Sequence, residues 1–177
     1  MPERKMGVVE SAADRGLEDA AEREIVLSRV FDAPREMVWA AWTDPKQVAL
    51  WWGPKGFTTT IEEMDVRPGG VWKQVLHGPD GIDYPNESVF LEVVQHERLV
   101  YTLTGGRKGE PVVQMEKATT FEEEAGGTRV TMRLTFASAE ARDQNVRDYG
   151  SIEGAKQAFQ RLADYLAGQF AGTTATA

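Results

Sequence analysis

With 177 residues, 41% of them hydrophobic, and a formal net charge of −8, the chain suits one domain with a real core and repels phosphate backbones. Its lysines and arginines are scattered among acids, which argues against a basic nucleic-acid face and a polybasic membrane anchor. Cysteine is absent, so disulfides, thiolate nucleophiles and cysteine metal sites are excluded as well.

Residues 1–22 are rich in Ala, Glu, Asp and Arg and poor in bulky apolar side chains. They read as a flexible leader, and 171–177 as a flexible tail, around a domain at 23–170. The opening residues have no apolar core of a signal peptide, and no run of about 20 apolar residues follows, so the expected compartment is the cytoplasm.

The first expected element is a strand at 24–32, with Ile25, Leu27 and Phe31 on one face and Val26 and Val30 on the other, buried on much of both sides. Pro34 then opens a short helix, with Asp32 as its expected cap and Val38, Trp39 and Trp42 at helical spacing. Asp44 starts a second short helix, where Gln47 completes a capping box, and Gly53-Pro54 stops the chain after Trp51 and Trp52. From Phe57 the period changes to two. Six strands follow, at 57–66, 70–78, 87–95, 98–104, 112–124 and 128–136, divided by glycine-rich or polar turns. Val113, Met115 and Phe121 match Val130, Met132, Leu134 and Phe136 as one apolar face, the mark of an antiparallel sheet.

A long helical segment closes the chain from about Ala139 to Phe170, with a stripe through Ile152, Phe159, Leu162, Leu166 and Phe170. Gly150 and Gly154 weaken it by roughly 1 kcal/mol each, so its regular part is expected to begin near Ser151. Strand, two helices, six strands and a helix with a matching stripe give an α+β fold, in which a curved antiparallel sheet wraps the C-terminal helix.

The run LSRVFDAPREMVWAAWTDPKQVALWWGPKGFTTT resembles the opening of bacterial proteins related to the activator of Hsp90 ATPase. DVRPGGVWKQV, HGPDG, FLEVVQHERLVYT and TTFEEEAGGTRVTMRLTF resemble later pieces in the same order, so the likeness spans Glu24 to Ala167. It implies the helix-grip fold of the START/Bet v 1-like (SRPBCC) superfamily. Three functions follow from it in order of expectation. The first is non-catalytic binding of a small apolar or amphipathic molecule in an internal cavity. The second is a protein-interaction module like the Hsp90 co-chaperones. The third is a cavity enzyme of cyclase or dehydratase type. No cofactor and no metal is implied, the partner is an unknown hydrophobic molecule, and open sheet edges make a homodimer conceivable.

Residues expected to line a cavity are Trp51, Trp72, His77, Tyr84, Tyr101, Met115 and Phe159, with Phe90 inward beside them. Ordinary core packing explains Trp72, Tyr84, Phe90, Tyr101, Met115 and Phe159 equally well, and a plug between the short helices and the sheet is the preferred reading of Trp51. Of the adjacent Trp51 and Trp52, one is expected deep and the other turned away. His77 is the expected acid/base if there is chemistry, although His77 and His96 stand on separate turns without metal-ligand spacing. Glu63 and Asp65 share the parity of Phe57 and Ile61, so an inward carboxylate is a second option, with Arg67 or Arg133 as its partner. No GxSxG, P-loop or GxGxxG motif is present.

Overall fold

The computed structural model describes residues 20–174, with side chains to Gln169. Most of the expected leader, and 175–177 of the expected tail, lie outside the described residues; 20–22 are helical and run into the first strand, and 171–174 continue the last helix.

Seven strands form one antiparallel sheet in the order β1-β7-β6-β5-β4-β3-β2. They are β1 (Glu24–Phe31), β2 (Thr58–Met64), β3 (Val71–His77), β4 (Asp83–Val94), β5 (Arg98–Gly105), β6 (Val113–Glu124) and β7 (Gly127–Phe136). Two short helices, α1 (Arg35–Thr43) and α2 (Pro45–Trp51), connect β1 to β2 from opposite edges of the sheet. After β7 come α3 (Ala139–Tyr149) and α4 (Ser151–Thr174). The curved sheet grips α4, and this is the helix-grip fold that the order of elements implied.

Local chemistry fixes most boundaries. Asp44 caps α2 by accepting from the Lys46 amide at 3.0 Å, and Pro45 stands at its first position. Gln47 does not close a capping box: its Nε2 donates to the Asp44 carboxylate at 3.1 Å, and its Oε1 accepts the Tyr165 hydroxyl at 3.0 Å, tying α2 to α4. Asp32 does not cap α1 either, because the N-cap position falls on Pro34, which has no side-chain acceptor. The long terminal segment is broken at Gly150, which is left-handed at φ 56°, and Ser138 caps α3 through the Ala141 amide at 3.0 Å.

The core lies on the concave face. Trp72, Phe90, Tyr101, Phe121, Val130 and Phe136 from the sheet meet Trp42, Trp51 and Trp52 from the short helices and Phe159, Leu162 and Leu166 from α4. Tryptophan rings run edge to face through its centre: Trp42–Trp51 at 4.9 Å, Trp51–Trp52 at 5.2 Å and Trp52–Trp72 at 4.8 Å between centroids. Trp51 also donates its indole N–H to the Ala41 carbonyl at 2.9 Å, so a large polar-edged ring is buried at no hydrogen-bonding cost.

Three further expectations need correction. β1 is an edge strand with one wet face, and its Val26 and Val30 are exposed. Trp51 and Trp52 are both buried, because the helix ends at Trp51 and the chain turns before Trp52, so both rings point to the core. In β2 a bulge between Ile61 and Glu63 shifts the register, pairing Ile61 with Gln74 and Met64 with Trp72. The parity argument for an inward Glu63 fails there: Glu63 pairs with Lys73 and is exposed.

Candidate functional site

Between the sheet and α4 the core is left open as a pocket of about 280 Å³. Its opening comes from small residues on α4: Gly154, Ala155 and Ala158 face it where the stripe otherwise carries Phe159 and Leu162. Gly154 also lets the Pro54 ring approach, since a Cβ there would stand 3.3 Å from its Cγ. Trp42, Trp51, Trp52 and Phe57 wall one side, and Leu76, Leu103, Met132 and Leu134 supply the sheet side.

Of the residues expected to line a cavity, Trp51, Tyr84, Met115 and Phe159 stand on this wall. Trp72 and Tyr101 do not. They are in the packed core beside it, where Trp72 stacks on Phe90 within 5° and lies 5.5 Å from the Tyr101 ring. Burial pushes the Tyr101 phenol strongly up. Phe90 is closed into the same stack.

His77 faces the other way. On β3 the inward positions are Trp72, Gln74 and Leu76, and His77 falls on the outer parity. Its ring bridges strands there, with Nε2 2.8 Å from the Thr60 hydroxyl and Nδ1 2.8 Å from the Asp83 carboxylate. His96 occupies the β4–β5 turn with φ 66° and sets its ring 6.1 Å from Trp39. Arg67 and Arg133 are exposed and paired outside the pocket, with Asp65 at 2.7 Å and Glu24 at 2.9 Å.

The charged group that does enter the pocket is Lys117, on β6 opposite Tyr101 of β5 and Leu134 of β7. Its Nζ lies 5.4 Å from the centroid of the Trp52 ring. No hydrogen bond or ion pair reaches it among the described residues, and burial pulls its pKa down to about 8. Much of its stem is covered while part of the residue stays accessible through the pocket, so the ammonium sits in an apolar recess rather than in solid core. The signal was in the sequence. Alternation from Met115 to Phe121 puts Lys117 and Thr119 on the same inward parity, although only the apolar residues of that face, Val113, Met115 and Phe121, stood out in the pattern.

At the mouth, polar groups gather from three elements. Arg107, following β5, lies 5.8 Å from the centroids of both Tyr84 and Tyr149 and pairs with Glu110 at 3.0 Å. The Tyr149 hydroxyl accepts the Arg107 amide at 3.2 Å, and the turn permits this because Gly106 has no Cβ to meet that hydroxyl. Buried Asn145 of α3 leaves its Oδ1 without a partner in the same region. The lining is therefore amphipathic, with a deep aromatic and aliphatic body, one internal ammonium and a polar rim.

A family model described as activator of Hsp90 ATPase homolog 1-like protein matches residues 32–167, about three quarters of the sequence. The chain belongs to that family. Its bacterial members supply similar solved structures. The crystal structure of Ms6760 from Mycobacterium smegmatis is 32% identical, with a TM-score of 0.76 over 85% of this chain and 95% of that one. CV1439 from Chromobacterium violaceum is 28% identical, with a TM-score of 0.69 over 80% and 95% of the two chains. NE0264 from Nitrosomonas europaea is 26% identical, with a TM-score of 0.73 over 84% and 97%. Curated proteins gave no match. The activator of Hsp90 ATPase homolog 1-like family thus accounts for the fold and for nearly all of the described chain, and no helix among the described residues is long and apolar enough to cross a membrane.

Proposed function

We propose that this family member is a non-catalytic cytoplasmic binding protein, which holds a small apolar or amphipathic molecule between its sheet and α4. The observation that carries the reading is a pocket of about 280 Å³ kept open by Gly154, Ala155 and Ala158 within an otherwise close-packed aromatic core. That volume falls just under the range of roughly 300–1,000 Å³ usual for ligand sites, and interiors without a role keep few voids of such size. An apolar pocket walled by aromatic rings in edge-to-face contact gains most from a flat or aliphatic body, while the rim of Tyr84, Tyr149 and Asn145 suits a polar end.

Native and denaturing mass spectra of freshly purified protein, taken side by side, test this. Extra mass of small-molecule size is expected under native conditions and is expected to vanish on denaturation. Ala158→Phe should abolish it by placing a ring in the space while leaving the circular dichroism spectrum unchanged. A bare wild-type mass, or an adduct that Ala158→Phe retains, would count against the pocket as a binding site.

The co-chaperone reading has less to support it. The sheet surface away from the core carries paired charges, including Arg98–Glu92 at 3.3 Å and Arg133–Glu24 at 2.9 Å, and its exposed large apolar residues are few: Val26 and Val30 on β1, Leu91 and Val94 on β4.

A further inference from the structure

We infer that the ligand is a carboxylic acid whose carboxylate pairs with the Lys117 ammonium while its apolar body lies against the tryptophan wall. The inference rests on the pocket being a binding site and deepens that reading by naming the chemical class.

The position of the ammonium is the first argument. Lys117 projects from the middle of the concave face, two strands in from the β1 edge. Its cross-strand neighbours are Tyr101 and Leu134, and Leu103, Met115 and Met132 complete the lining around it. None of these can accept the charge as a carboxylate would. Of the acidic residues of β6, Glu116, Glu122 and Glu124 are on the exposed parity, and Glu123, although it shares the parity of Lys117, is exposed at the far end of the strand. Among the described residues, the acid on the pocket wall is Asp148, exposed at the end of α3. Arg107, the other cation at the pocket, already has Glu110.

An ammonium in an apolar recess with only a ring face for company is costly to hold, and a lysine that served packing alone would be better replaced by Leu or Met. The stabilising complement is an anion delivered from outside. With a pKa of about 8 the side chain is still mainly charged at neutral pH, so the site is ready for that anion. A monoanion matches one ammonium. A phosphate would bring a second charge into the recess with no cation free to meet it, so the carboxylate is the head group the site can neutralise. The chain as a whole carries −8, which makes a locally cationic pocket a feature of the site rather than of the surface.

The test pairs each acid with its neutral amide, so that body and head are read separately. Calorimetric titration at pH 7 uses 2-naphthoate against 2-naphthamide, and decanoate against decanamide, on wild type and on Lys117→Met. Methionine keeps the length and apolar stem of lysine, and removal of a buried charge does not threaten folding. In wild type each acid should bind at least tenfold more tightly than its amide. In Lys117→Met that ratio should fall to about one, with amide affinity unchanged. If acid and amide bind wild type equally, the inference falls and the pocket reading survives. If the acid preference persists in Lys117→Met, the anchor lies elsewhere and the inference is again overturned. If no member of either pair binds wild type, the pocket reading itself fails, and the inference with it.

Discussion

Lys117 sets an unusual condition on stability as well as on binding. Its amine reverts to an ordinary value near 10.4 in the unfolded chain, whereas burial holds it at about 8 in the folded protein. Between those values the unfolded chain binds more protons than the native one, so stability rises with pH through this window. Below about pH 8 the whole cost of the buried charge is present. Other titratable or charged groups stand near the same pocket: Tyr84 on β4, Tyr101 on β5, Arg107 after it, and Asp148 and Tyr149 on α3. A comparison with Lys117→Met removes their contribution. Urea denaturation at pH 7 should show the variant more stable than wild type, and the gap should shrink by pH 10. A gap independent of pH would show that the lysine is solvated in the native state.

At the scale of elements, the division between α3 and α4 depends on one residue. Gly150 is left-handed, with φ 56° and ψ 41°, and open space surrounds the position of its missing Cβ. Alanine there meets no obstacle and suffers only the intrinsic strain of the conformation, about 1 kcal/mol, while asparagine tolerates it better. Gly150→Ala should therefore lower the melting temperature by about 2–4 °C, and Gly150→Asn by less. Equal melting temperatures for both variants and wild type would mean that the break relaxes into one continuous helix. The same residue shows why the elements were legible. A glycine followed by Ser151 within a long apolar stripe announces a restart, and period-two runs between glycine turns announce a meander. Asp83–Val94 extends four residues further back than its apolar run suggested, because the stretch Asp83-Tyr84-Pro85-Asn86 pairs with β3 although it lacks alternation. The bulge at Ile61 and Glu63 was equally hidden, since an extra residue in a strand leaves no compositional trace.

The whole molecule adds what no strand or helix reveals alone, namely which inward residues face space and which face each other. Trp72, Tyr101 and Met115 share inward parity, yet only Met115 reaches the pocket, because Trp52, at the end of α2, packs against Trp72, and Trp72 in turn packs against Tyr101. Arg161 fixes that arrangement. From α4 its Nη1 donates to the carbonyls of Trp52, Gly53 and Pro54 at 3.0, 3.0 and 3.1 Å, satisfying the end of α2 and clamping the loop that walls the pocket. Charge-assisted bonds of this kind contribute roughly 1.5–3 kcal/mol, and the partial exposure of the guanidinium places this set at the lower end. Arg161→Leu should cost about 1–2 kcal/mol and act locally. In hydrogen exchange, the amides of Trp52 and Phe57, which bond to Val48 and Pro54 at 3.0 and 3.1 Å, should lose protection while those of β5 to β7 keep theirs. Release of a bound probe should quicken for the same reason, since the tryptophan wall is then free to swing. Uniform loss of protection across the sheet would instead make Arg161 a general support of the fold. Unchanged protection at Trp52 and Phe57 would show that the loop is held by its tryptophans alone.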